Sequence, residues 1–368
     1  MRNIFRQLLA VSLLGFFSAA TPASAIPLRP EIEHWQEKMT ASMQALKSNQ
    51  FAEAVRLNEE AIELASHLDS TDIHLARSQV QRAELYLWAK QYDKAEDMFN
   101  VAIATCERAA GPDNPELVHP LSSLANFYYY VRPHYDRVAK LFERILHIVE
   151  HTSPPEIREV ILWSRNLGTI YQQLGDYARA EPLFARAVSL TEKNQPEWLS
   201  HEKLNQAQFY CSWKKWDRAE EIARSALEMR KRALRAEPTN IDRKLDVSVA
   251  LDEVAADEFG AGKLEAAEMT ARRSLENCES FMEATNPDLG PRLAFLAEVL
   301  SSRSKFEESA DTYRRLVVLT KSTLGSENAV LADVLAKYAA VLRHLNKTAD
   351  AAALDAQADA IRRKLPAA

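Results

Sequence analysis

The stretch NLGTIYQQLGDYARAEPLFARAVSLTEK, residues 166–193, decides the fold. Leu167, Gly168 and Tyr171 stand at offsets that share one face of a helix, Gly175-Asp176-Tyr177 interrupts that period with a turn, and Ala180, Phe184 and Ala187 resume it. The result is two helices joined by a short connection. Gly168, Ala180 and Ala187 are small enough for the helices to cross closely, and the aromatics fill the space around the crossing and the turn. A single hairpin of this size cannot bury its own apolar face, so the pattern requires copies of itself.

The copies are present. Residues in the place of Tyr177 recur as Phe51, Tyr92, Tyr135, Tyr177, Trp216, Leu264, Phe306 and Thr348, with gaps of 41, 43, 42, 39, 48, 42 and 42. Three residues after each come Ala54, Ala95, Val138, Ala180, Ala219, Ala267, Ser309 and Ala351. Ten after come Ala61, Ala102, Ile145, Ala187, Ala226, Ser274, Leu316 and Ala358. The residues at these offsets resemble the tetratricopeptide repeat. The period near 42, together with AAGPDNPELVHPLSSLANFY at 109–128 and LGSENAVL at 324–331, resembles the kinesin light chain class of that repeat. The eighth copy departs from the pattern, with Thr348 in the aromatic slot and Asp355 where repeats two to four have Phe99, Phe142 and Phe184. The heptads that kinesin light chains carry ahead of their repeats are absent from this sequence. The resemblance therefore implies architecture and binding mode, not a motor role. The expected fold is all-α, a right-handed α-solenoid of about eight helix-turn-helix units over residues 35–365, and the low glycine count of eight suits it.

The ends read differently. Residues 1–25 place Arg2 and Arg6 ahead of an apolar run at 8–17 and finish in Ala23-Ser24-Ala25, the order of a cleaved signal peptide. The apolar run is too short to span a bilayer, and no later run is long enough, so the expectation is an exported protein, periplasmic or secreted, with no membrane insertion. Residues 26–34 form an N-terminal segment and 366–368 a tail. Cleavage takes two cations and no acid, which moves the formal net charge from −6 to −8. A mildly acidic chain without a dominant basic block is not built for nucleic acid. KRALR at 231–235, with Lys214 and Lys215, reads as a solvated stretch. Cys106, Cys211 and Cys278 are too few and too scattered for a disulfide framework. Cys106 and Cys278 share one repeat slot and read as semi-buried helix positions.

HIVEH at 147–151 matches HxxEH, in which two histidines one turn apart hold zinc and a glutamate activates its water. Register supplies a different explanation. Fifteen residues past each turn position stand Glu107, Glu150, Glu192 and Glu279, so Glu150 is a repeat feature, and His151 falls in a polar slot near a helix C-terminus. A peptidase also needs a third protein ligand and a cleft of its own. The sequence accordingly implies no catalytic residues, no metal and no cofactor, with a zinc peptidase as the minor alternative.

The fold offers a groove. In stacked hairpins the first helices line a concave surface. The packed set Leu167, Gly168 and Tyr171 leaves Leu162, Arg165, Thr169 and Gln172 facing outward in repeat four. The same register gives His119, Ser122, Asn126 and Tyr129 in repeat three, and His201, Leu204, Gln208 and Cys211 in repeat five. It gives Asp252, Ala256 and Phe259 in repeat six, then Ala294, Glu298 and Ser301 in repeat seven. Asn126, Asn166 and Asn205 form a series whose amides can donate to a carbonyl and accept from an N–H of an extended backbone. The candidate peptide-binding residues are thus Asn126, Tyr129, Leu162, Arg165, Asn166, Thr169, Gln172, Asn205 and Gln208. The carboxylate clamp of some tetratricopeptide domains is matched in part: Asn126 and Asn166 sit at its asparagine places, but Ser122, His201 and Asn205 stand where it has cations. The reading is a non-enzymatic scaffold for a protein or peptide partner. The alternative is an exported assembly or chaperone-like factor that docks through its ends. The sequence names neither the partner nor the oligomeric state.

Overall fold

The computed structural model describes residues 29–69 and 73–365. The expected signal peptide at 1–25 and the tail at 366–368 lie outside the described residues. Among these there are sixteen α-helices and no strand. They run as eight hairpins: α1 (Pro30–Lys47) with α2 (Phe51–Ser66), α3 (His74–Trp88) with α4 (Tyr92–Ala110), α5 (Val118–Tyr130) with α6 (Tyr135–His151), and α7 (Ile157–Gln173) with α8 (Tyr177–Asn194). The second four are α9 (Leu199–Ser212) with α10 (Trp216–Ala236), α11 (Ile241–Gly260) with α12 (Leu264–Glu279), α13 (Leu289–Ser302) with α14 (Phe306–Leu324), and α15 (Ala329–His344) with α16 (Thr348–Lys364). Each turn residue read from the sequence, from Phe51 to Thr348, is the first residue of a second helix. α1 begins at Pro30, so the first helix reaches into the segment 26–34 that the sequence placed before the repeats.

The chain divides into two compact units between Ala187 and Val188. Within the first, α1 to α7 pack in succession, each on the next. Within the second, α9 to α16 do the same, and the first helices α9 and α11 also touch directly.

Small residues set the spacing. The slot of Gly168 holds Ser42, Ala83, Ala125, Ala207, Ala255, Ala297 and Ala339 in the other repeats, and every one is inaccessible. The residues three past the start of each second helix, Ala54 through Ala351, and those ten past it, Ala61 through Ala358, are buried in all eight repeats. A Cβ placed on Gly168 would lie 3.0 Å from the ring of Phe184, which shows how closely α7 and α8 cross. Around these contacts larger side chains close the core, with Phe99, Phe127 and Phe209 fully enclosed.

The turns share one chemistry. In seven hairpins the residue two before the second helix has positive φ: Asn49, Lys90, Gly175, Lys214, Gly262, Ser304 and Asn346. Its N–H donates to the carbonyl three residues back, as Lys90 does to Leu87 at 2.9 Å, and the next N–H reaches five back, as Gln91 does to Tyr86 at 2.8 Å. This pair of bonds is a Schellman closure, which uses carbonyls the helix end would otherwise leave unsatisfied. The third hairpin departs because Pro133, whose ring fixes φ negative, occupies the turn. There the His134 N–H reaches six residues back, to the Tyr128 carbonyl at 3.0 Å.

Candidate functional site

α5 and α7 present the strip expected from the sequence within the first unit. On α7, Leu167, Ile170 and Tyr171 are buried, while Leu162, Arg165, Asn166, Thr169 and Gln172 are half-buried. On α5, Leu124, Ala125, Phe127 and Tyr128 are buried, and Asn126 and Tyr129 are half-buried. Thr169 Oγ1 donates to the Arg165 carbonyl at 3.0 Å, so its hydroxyl presents acceptor lone pairs outward. Tyr129 meets Tyr130 and Tyr135 edge-on, with ring centroids 4.7 and 5.5 Å apart, and burial raises its phenol pKa above the ordinary value. α5 thus carries an aromatic corner, and α7 carries amides and one guanidinium at partial exposure.

In the second unit Asn205 is half-buried and Gln208 is exposed, with the Asn205 amide 3.4 Å from a Glu202 carboxylate oxygen. Leu204, expected in the groove, is instead 9% exposed and belongs to the core with Ala207, Ala223 and Val247. The slot that holds the half-buried Arg165 in repeat four here holds an apolar side chain, which packs into the neighbouring helix interface. His119 also turns inward, where burial and then the Arg77 charge pull its imidazole down to about 4. The asparagines do not form one row. Counted from the small slot, Asn126 shares its place with Thr169 and Gln208, whereas Asn166 shares its place with Asn205 and Glu253.

HIVEH is a helix face. The His147 and His151 rings lie with centroids 4.2 Å apart, and both side chains are exposed. His151 Nδ1 sits 2.8 Å from the His147 carbonyl, and Glu150 accepts from Arg186 on α8. The same bond recurs as Glu107 with Arg144, at 2.6 Å, and as Glu279 with Arg315. Among the described residues no three His, Cys, Asp or Glu side chains are placed to hold a metal ion.

Two features escaped the sequence reading. An arginine two residues into the second helix lies over the tyrosine three past the small slot: Arg137 over Tyr128 at 5.0 Å, Arg179 over Tyr171 at 4.2 Å, and Arg218 over Tyr210 at 5.6 Å. The second is Asp257, fully buried on α11. It occupies the slot of Leu85, Phe127, Ile170, Phe209, Val299 and Val341, all buried apolar residues. Neither of its oxygens receives a hydrogen bond of ordinary geometry. Burial, and then the neighbouring Glu253 charge, raise its carboxyl to about 8, and the weakly donating thiol of Cys211 offsets only part of the rise. Aligning the repeats on the small slot exposes this residue, since it is an acid in a column that is apolar in repeats two to five, seven and eight.

Two units of stacked helical hairpins with a recurrent small-residue crossing define a helical-repeat protein. The tetratricopeptide repeat family model matches residues 75–116 and 164–194. Those two stretches are similar to tetratricopeptide repeats, and the eight hairpins have the same helix-turn-helix form. It is similar, at 17% identity and a TM-score of 0.55, to a signal transduction ATPase with numerous domains from Pyrococcus horikoshii that carries a tetratricopeptide repeat sensor; the match covers 88% of this chain and 43% of that one. It is similar to the apo quorum sensor NprR of B. thuringiensis at 12% identity and a TM-score of 0.52, covering 98% of both chains. The nearly identical TPR-like repeats of a kinesin light chain type protein from Podosopora anserina match at 18% identity and a TM-score of 0.48, over 55% of this chain and 95% of that one. No curated protein matches the sequence.

Proposed function

We propose that this protein is a non-enzymatic scaffold, acting after export, that holds an extended segment of a partner protein against its first helices. The observation that carries the reading is the half-buried strip on α5 and α7, where Asn126, Tyr129, Leu162, Arg165, Asn166, Thr169 and Gln172 stand at partial exposure beside a closed core. Amides there can pair with both polar groups of an extended backbone, Tyr129 and Leu162 offer apolar area, and Arg165 suits an acidic side chain. Asn205 and Gln208 carry the same amide chemistry on α9 of the second unit.

The test begins with capture of a partner from the exported fraction and delimitation of its bound segment. Changing Asn126, Arg165 and Asn166 together to Ala is expected to weaken that segment's binding at least tenfold, about 1.4 kcal/mol, with the helical signal unchanged. Equal affinity in a folded triple variant overturns the site. Protein recovered from the exported fraction should begin at Ile26; an intact residue 1–25 segment on that protein would overturn processing.

A further inference from the structure

The slot that holds Asn166 and Asn205 holds Glu253 on α11. Its side chain is half-buried, and burial and then the Asp252 charge raise its carboxyl above the ordinary range. One helical turn on, Asp257 puts a second carboxyl on the same side, facing Cys211 of α9. The acids around them are already matched. Asp252 is paired with Arg292 at 2.7 Å, Glu258 with Arg224, and Glu220 with Lys263 at 2.8 Å. Among the described residues no cation or hydrogen-bond donor stands against Glu253, and Asp257 lacks an ordinary donor. Glu253 thus stands without a counter-charge, and Asp257 one turn on keeps its proton below about pH 8, so a cation brought beside them would favour the ionised form of both.

The apolar surroundings suit the stem of a long cation. Ala256 and Phe259 follow Glu253 in groove-facing slots, and Phe259 meets Phe295 of α13 edge-on at 5.7 Å. A lysine or arginine can lay its methylenes along such a wall and keep its charged head at the acids. Arginine can also place its plane over the Phe259 ring. We propose that Glu253, backed by Asp257, forms a subsite in the second unit for a basic side chain of a bound partner segment. This subsite rests on the reading above that first helices hold partner segments, and it gives a segment bound in the second unit a chemical requirement: a lysine or arginine flanked by apolar or aromatic residues.

The probe is a set of dodecapeptides selected from a random displayed library on the intact chain, then synthesised. Expected binders carry a lysine or arginine, lose at least tenfold affinity when it becomes norleucine, and lose as much on Glu253→Gln. The two changes together should cost little more than either alone, because they remove the same pairing. Glu265→Gln, at an exposed residue early in α12, makes the same charge change and should leave binding as it was. Binders without a basic residue, or a norleucine loss that adds fully to the Glu253→Gln loss, overturn the subsite while the segment-holding reading stands. No binder from any library position overturns both.

Discussion

The Glu150 carboxylate on α6 lies against the Arg186 guanidinium on α8, joining the second helices of successive repeats. Glu107 with Arg144 and Glu279 with Arg315 make the same connection, each from the residue fifteen past one turn position to the residue nine past the next. A recurrent staple accounts for the glutamate of HIVEH without invoking a metal. Exposed pairs of this type couple by about 0.2–1 kcal/mol, so a double-mutant cycle on Glu150→Gln and Arg186→Gln should return a coupling in that range that shrinks in high salt. Purified protein should also keep its far-UV helical signal in the presence of a chelator. Loss of most of that signal would make the histidines ligands of a structural ion.

A second outcome concerns the turns. Lys90 and Ser304 adopt positive φ, near 59° and 58°, where a Cβ crowds the backbone. Gly175 and Gly262 occupy the equivalent place without that strain. Lys90→Gly and Ser304→Gly should each stabilise the protein by roughly 0.5–1 kcal/mol, since relief of strain exceeds the extra unfolded-state freedom of glycine. Gly175→Ala should destabilise by a similar amount. Urea midpoints at equal slope decide it, and losses for Lys90→Gly and Ser304→Gly would mean the left-handed conformation carries no penalty there.

The repeat was legible because the residues that fix it are the ones geometry constrains most. Ala54, Ala95, Ala180 and Ala219 recur because a larger side chain has no room at the crossing, and Phe51 through Thr348 mark where each second helix starts. Side chains whose placement depends on a neighbouring repeat were less legible. Leu204 looks like its groove-facing counterpart Arg165 in register, yet packs with Val247 of α11 because an apolar residue there is drawn into the adjacent interface. Asn126, Asn166 and Asn205 resemble a row only while spacing is counted along the chain; Asn126 stands one after Ala125, whereas Asn166 and Asn205 stand two before Gly168 and Ala207. Asp257 was invisible for a related reason. Beside Glu258 it reads as part of an ordinary acidic helix face, and only comparison with Ile170 and Phe209 reveals what it displaces.

Burial contrasts predict how two substitutions on neighbouring helices differ. Ala180 is inaccessible at the crossing of α7 and α8, whereas Arg165 is half-buried at the margin of the strip. Ala180→Leu should cost about 1 to 3 kcal/mol through overpacking, and Arg165→Ala should stay within about 0.5 kcal/mol. Similar losses in both would place Arg165 inside the core.

The last prediction follows from the sign of the Asp257 shift. Its carboxyl sits near 8 in the folded chain, against about 4 for an unfolded aspartate. Between those values the folded chain keeps a proton that the unfolded chain has released. Stability from this group is therefore whole below about pH 4, falls as pH rises, and is lost once pH passes about 8, at up to about 1.4 kcal/mol per pH unit. The groups facing it act in the same direction: Glu253 and Glu258 on its own helix, and Glu220 from α10, raise its pKa through their charges. Cys211 on α9, itself pushed up to about 12 by burial and then Asp257, carries no negative charge in this window. Asp257→Val puts into the slot the residue that repeats seven and eight already have, Val299 and Val341. It should raise the melting temperature at every pH above 5, and by at least about 2 °C more at pH 8 than at pH 5. Asp257→Asn, which cannot titrate, should remove the pH dependence without supplying the packing. A gain for Asp257→Val that is the same at both pH values would show that Asp257 is already ionised at pH 5 and that the column tolerates a buried charge.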